Sequence, residues 1–138
     1  MNNVDAKPSW VLQAGLWIAQ VLVAAMFLMG AVMKLTMPID KLSQMMPWTG
    51  QVDPMLVYAT GVFDGLGGIG ILLPALTRIM PRLTVYAAMG CFALQVCALV
   101  FHISRGEGAT VGPINVLLGA LAAFVVWGRL RAAPIQAR

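Results

Sequence analysis

The sequence predicts an all-α fold, an antiparallel four-helix bundle spanning a membrane, and three observations lead there. Hydrophobic residues make up 60% of the 138-residue chain and charged ones 10%, too few polar groups to cover a soluble domain of this size. The apolar residues fall into four stretches, each long enough to be read as a crossing of the roughly 30 Å hydrocarbon core. The connections after the second and third stretches are short, which sets consecutive helices antiparallel. With no internal repeat or low-complexity tail, residues 1–138 read as one transmembrane domain.

The first span runs from about 10 to 33, "WVLQAGLWIAQVLVAAMFLMGAVM", and is followed by Lys34. It is too long for a removable signal peptide and lacks the cleavage signal. The second span covers about 55–73, the third 83–103 and the fourth 111–127. The one long connection, Lys34 to Pro54, carries Pro38, Pro47 and Pro54 together with Met45, Met46 and Trp48. That composition predicts an irregular or interfacial cap over one mouth of the bundle.

Lys and Arg near the ends of spans favour the cytoplasmic side. Lys7, Arg78, Arg82, Arg129, Arg131 and Arg138 fall on the side of the two termini, whereas only Lys34, Lys41 and Arg105 fall on the other. Both termini are therefore expected in the cytoplasm, as for a multi-pass protein of a bacterial inner membrane. This asymmetry and the attraction of anionic headgroups account for the net charge of +4. Membrane lipid is the expected partner, and nucleic acid is not.

The second span holds "FDGLGGIGILLP", in which Gly65, Gly67 and Gly70 make a GxGxxG pattern. A dinucleotide fingerprint needs a strand before the glycines and a helix opening at them, and here they lie inside an apolar span. Glycine in a membrane helix instead admits a neighbouring backbone at close range. Gly61, Gly65 and Gly68 recur on one face and are expected to pack a helix. Asp64, the only acid within any span, lies on that face.

An ionisable group near the bilayer centre costs about 3 kcal/mol on insertion scales and faces the bundle interior. Counting from the helix ends puts Gln20, Asp64 and Gln95 near the midplane and Asn115 slightly outside it. Lys34, His102, Arg105 and Glu107 form a second layer toward the outer surface. Small and polar residues share stripes: Gln13, Gln20, Phe27 and Lys34 on the first span; Ala88, Cys91, Gln95, Ala98 and His102 on the third; Asn115, Gly119 and Ala122 on the fourth. Leu, Val, Ile and Met are left facing lipid. These polar side chains either bond across helices, at about 1 kcal/mol or less each, or line a pocket for a small amphipathic molecule. The same counting separates Lys34 from Asp64 by about ten residues, roughly 15 Å. Two flexible side chains and a helix tilt would have to close that gap, and Lys34 can instead snorkel to water.

Other chemistries find few residues. His102 is the only histidine, so one subunit has no multi-histidine metal or haem site. Cys91 and Cys97 lie about 9 Å apart along one helix and cannot be bridged. The ten methionines are scattered and read as adaptable packing rather than a copper site. No metal and no covalently bound cofactor is expected.

Four segments, "GAVMKL", "GVFDGLGGIGILLP", "LQVCALVFHISRGE" and "NVLLGALAAFVVWGR", together resemble the DoxX-like family of small four-helix bacterial membrane proteins, from Trp10 to Arg129. The resemblance rests on the order of Lys34, an acid beside glycines, His102 and Asn115. Relatives often carry Glu where this chain has the shorter Asp64, which reaches less far toward Lys34. The resemblance implies a small subunit or accessory of a quinone-linked redox system. The name-giving member is similar to a subunit of a thiosulfate:quinone oxidoreductase. On this reading quinone is the ligand, Asp64, Gln95 and Asn115 line its pocket, His102, Lys34 and Gln20 are further candidate contacts, and electron transfer needs a partner protein. A non-enzymatic assembly factor packing its glycine face on a partner's helix, or a homo-oligomer using Gly119 and Ala123, is the rival. A small exporter of lipophilic cations fits less well, because those proteins carry their essential acid in the first span, where this chain has none.

Overall fold

A computed structural model describes residues 6–138. Its helices are α1 (Trp10–Thr36), α2 (Ile39–Met45), α3 (Pro54–Thr77), α4 (Arg82–Ser104) and α5 (Gly108–Trp127), with a 3₁₀ turn at Pro47–Gly50 and a π turn at Gly128–Ala132. No strand occurs among the described residues. The four long helices have the length and apolarity to cross a membrane, and α1 packs on α3, α3 on α4, α4 on α5 and α5 back on α1.

Local chemistry sets the helix ends. The Ser9 hydroxyl accepts from the Leu12 amide at 3.2 Å and opens α1. Asp53 accepts from Met55 at 2.8 Å and opens α3, with Pro54 in the first turn, where its missing N–H costs nothing. At the far end of α3, Arg78 adopts the left-handed conformation (φ 60°) usually left to glycine. Its Nε donates to the Gln136 carbonyl at 2.8 Å and its own carbonyl accepts from the Arg138 amide at 3.1 Å. The C-terminal segment is thereby folded back onto the α3–α4 turn.

The bundle is small-sided within and large-sided without. Ala19, Val23, Ala24, Phe27, Ile71, Ala88, Cys91, Leu118, Ala122 and Val125 form the core. Phe63, Leu66, Ile69, Val100 and Leu117 are exposed, as suits side chains solvated by acyl chains. The glycines set the closest contact. A Cβ at Gly65 would lie 3.5 Å from that of Ala31, and one at Gly68 would meet Leu28 Cγ at 2.7 Å and the Ala24 carbonyl oxygen at 3.2 Å. The Gly61, Gly65 and Gly68 face is thus filled by α1 of the same chain and is not free for a partner's helix.

This contact fixes a register that counting from the ends missed. Gly61 lies beside Lys34 and Leu35, so the first turns of α3 project past the end of α1 at Thr36 by about six residues, roughly 9 Å. The long connection occupies that step. Of the irregular or interfacial cap expected there, the irregular form is overturned: the connection is two short helical turns, with Leu42 and Thr49 buried. Pro38 caps the first turn and Pro47 begins the second, positions where proline is compatible with helix.

Candidate functional site

The register brings Lys34 and Asp64 together. Lys34 Nζ donates to Asp64 Oδ2 at 2.7 Å, with side-chain exposures of 13% and 15%, so the expected separation of about 15 Å is overturned. Asp64 lies opposite Gly30, whose missing side chain leaves room for the carboxylate: a Cβ there would sit 3.2 Å from Oδ2. Lys34 is about one helical turn away on α1, not ten residues.

Above this pair the 3₁₀ turn places Trp48, whose ring centroid is 5.5 Å from Lys34 Nζ, a cation–π distance. Trp48 also meets the rings of Phe101 at 5.6 Å and His102 at 6.3 Å, both edge-on. His102 Nδ1 donates to Glu107 Oε2 at 2.8 Å, and Arg105 Nε lies 3.5 Å from the same oxygen. Arg105 also donates to Gln51. The hydrogen bond from His102, helped by the Arg105 charge, holds the Glu107 carboxyl below its ordinary value of 4.5. The outer layer of Lys34, His102, Arg105 and Glu107 is thus a connected cluster with Trp48 at its centre, a residue that sequence reasoning had placed only in the cap.

Gln95 and Asn115 lie between α4 and α5. A Cβ at Gly119 would touch that of Gln95 at 3.6 Å, so Gln95 packs one turn from Asn115. A Cβ at Gly67 would meet Cys91 Sγ at 2.8 Å, which puts Gln95, one turn beyond Cys91, at the depth of Asp64. Gln95 Oε1 and Asn115 Nδ2 are buried and find no hydrogen-bond partner among the described residues. Within about one helical turn of depth the bundle therefore holds an ion pair, an unpaired acceptor and an unpaired donor.

Gln20 does not belong to that layer. It sits about ten residues along α1 from the level of Asp64, roughly 15 Å toward the termini. The register offset that closes the Lys34–Asp64 gap opens this one. Gln20 Nε2 donates to the Ile71 carbonyl at 2.9 Å, and its Oε1 accepts from Arg129 Nε at 2.7 Å. Arg129 Nη1 donates further to Gln13 Oε1 at 2.7 Å and to the Ala133 carbonyl at 3.1 Å, and the guanidinium lies 5.1 Å from the Trp17 ring centroid.

Sequence reasoning took Arg129 as a marker of orientation only. The π turn accounts for its inward position. Ala133 N–H reaches the Gly128 carbonyl at 2.6 Å, and Gly128 packs so closely on Leu16 that a Cβ would lie 2.7 Å from Leu16 Cδ1. The wider turn swings Arg129 toward α1. The available signal was the spacing of Gln13 and Gln20 on one face of α1: two amides on the inward face of a membrane helix need partners.

A family model described as the DoxX-like family matches residues 18–125, from the third turn of α1 to the last turn of α5. No curated protein matches the chain. No solved structure matches it either.

Proposed function

Since this chain belongs to the DoxX-like family, we propose that it is an accessory subunit of a quinone-linked redox system in a bacterial inner membrane, holding a quinone head in the outer half of its bundle. The supporting observation is that the Lys34–Asp64 pair and the unpartnered Gln95 Oε1 and Asn115 Nδ2 fall within about one helical turn of the same depth. Buried polar atoms without partners are uncommon, and each calls for an occupant that supplies the missing bond. A quinone carbonyl accepts from Lys34 or Asn115, and the hydroxyl of the reduced form donates to Gln95 or Asp64. Trp48, Phe101 and His102 offer aromatic walls at the outer mouth. The His102–Glu107 pair stands at the same end of the bundle. The chain supplies head-group binding and proton handling, and the electrons come from a partner protein. The rival role of an assembly factor loses the glycine face on which it relied, because α1 covers it.

The test is native mass spectrometry of the protein extracted from its own membrane in mild detergent, with bound lipophilic molecules and co-eluting chains recorded together. The expected result is a quinone adduct that Asp64→Asn removes while the protein stays folded. An adduct undiminished in Asp64→Asn, or no adduct in the wild type, overturns the proposal.

A further inference from the structure

Arg129 is 4% exposed, and its partners are neutral: two glutamine amides and one carbonyl. Among the described residues no carboxylate lies within ion-pair range of it, and its Nη2 is buried without a partner. A buried cation without an anion is costly, and the cost falls steeply when a negative charge is brought to it. Arg129 also lines a groove of about 710 Å³ between the start of α4 and the folded-back C-terminal segment, as does Arg82. The rest of the lining is largely apolar, with Tyr86, Met89 and Ile135 among it, and includes Gln136.

We propose that this groove is a binding site for the phosphate of an anionic phospholipid. The occupant follows from the chemistry of the walls. Arg82 and Arg129 both border this space, and Nη2 is the nitrogen of the buried Arg129 guanidinium left without a partner; a phosphate is an anion that guanidiniums bond in a fork geometry. The apolar remainder of the lining suits a glycerolipid body and not a free ion. The groove lies at the end of the bundle that carries the termini and Arg78, Arg82, Arg129 and Arg131, where the positive-inside rule puts anionic headgroups. The Arg78–Gln136 bond holds the C-terminal segment in place as one wall of the groove. This site is far along the bundle from the Lys34–Asp64 layer and does not depend on a quinone.

The experiment is native mass spectrometry of the purified protein titrated separately with phosphatidylglycerol, phosphatidylcholine and inorganic phosphate. Saturable binding of one phosphatidylglycerol, with phosphatidylcholine markedly weaker, is expected. Arg82→Gln, at an exposed position that leaves the fold intact, should weaken phosphatidylglycerol by about fivefold, the usual worth of one cation at an anionic surface. Met89→Trp, which fills the groove without changing charge, should weaken it as well. Equal affinity for the two lipids overturns the proposal, as does competition by millimolar inorganic phosphate, which would mark a simple anion site. Undiminished phosphatidylglycerol binding in both variants overturns it too.

Discussion

Breaking the Lys34–Asp64 pair from either side should cost unequal amounts. Lys34→Met strands a carboxylate that is 15% exposed near the middle of α3, and removing one partner of a buried pair costs about 3–5 kcal/mol. Asp64→Leu, a near-isosteric change, strands an ammonium instead. Lys34 lies in the last turn of α1, so its side chain can turn outward to water, and the loss should be about 1–2 kcal/mol. With both changes made, neither charge is left unpaired, and replacing such a pair by apolar groups is close to neutral, about 0–1 kcal/mol. The coupling between the two sites should then be about 3–7 kcal/mol, far beyond the additivity of independent positions. Reversible unfolding in mixed micelles of increasing sodium dodecyl sulfate content, followed by far-ultraviolet circular dichroism, measures all four corners of the cycle. A coupling under about 0.5 kcal/mol, or a greater loss for Asp64→Leu than for Lys34→Met, would refute the reasoning.

Three other outcomes follow from the geometry. Gly128→Ala should destabilise the bundle by about 1–3 kcal/mol through overpacking against Leu16, and adding Leu16→Ala should recover part of that loss; a double variant worse than either single one contradicts this. Gly68→Val should separate α1 from α3, because a side chain there meets the Ala24 carbonyl oxygen at 3.2 Å as well as Leu28; a cysteine cross-link between the two helices that still forms at wild-type rate in this variant would rule that out. Glu107 is the only glutamate in the sequence, so its carboxyl gives one assignable carbon signal in a glutamate-labelled sample. Its folded-state value is depressed, so the His102–Glu107 contact favours the folded state at pH above 4.5 and is lost as pH falls through a midpoint below that; a midpoint at or above 4.5, or one that His102→Ala leaves in place, would show that the contact is absent.

Much of the fold can be read from residue types alone, because a bilayer allows few alternatives. A glycine face in an apolar span implies a close helix neighbour, and Gly61, Gly65 and Gly68 have one. What residue types do not carry is the axial offset between neighbouring helices. Depth counted from the ends of α1 and α3 assumes that those ends are level, yet α3 begins beyond the point where α1 stops, and this error kept Lys34 from Asp64 and placed Gln20 beside it. The offset arises from packing of Gly61 on Leu35 and Gly68 on Leu28, which no spacing within one helix reveals. Arg129 was hidden for a related reason. An arginine after an apolar span reads as an interfacial charge, and only the π turn at Gly128 carries it inward. The outer layer was more accessible to reasoning, since His102, Arg105 and Glu107 are close in sequence and meet across a single turn.

The pairing of Lys34 with Asp64 also bears on how the chain enters the membrane. The two residues are 30 positions apart, so at about 5–20 residues per second of synthesis the lysine emerges some 2–6 seconds before its acid. The first helix must wait in the bilayer with its ammonium reaching for the headgroups. When α3 arrives, its aspartate meets a cation already in place, and the roughly 3 kcal/mol that an isolated acid would cost there is offset at the moment of insertion. Chain order thus makes α1 a docking template for α3. A permuted gene delivering the acid-bearing helix first would remove that help and should insert less efficiently.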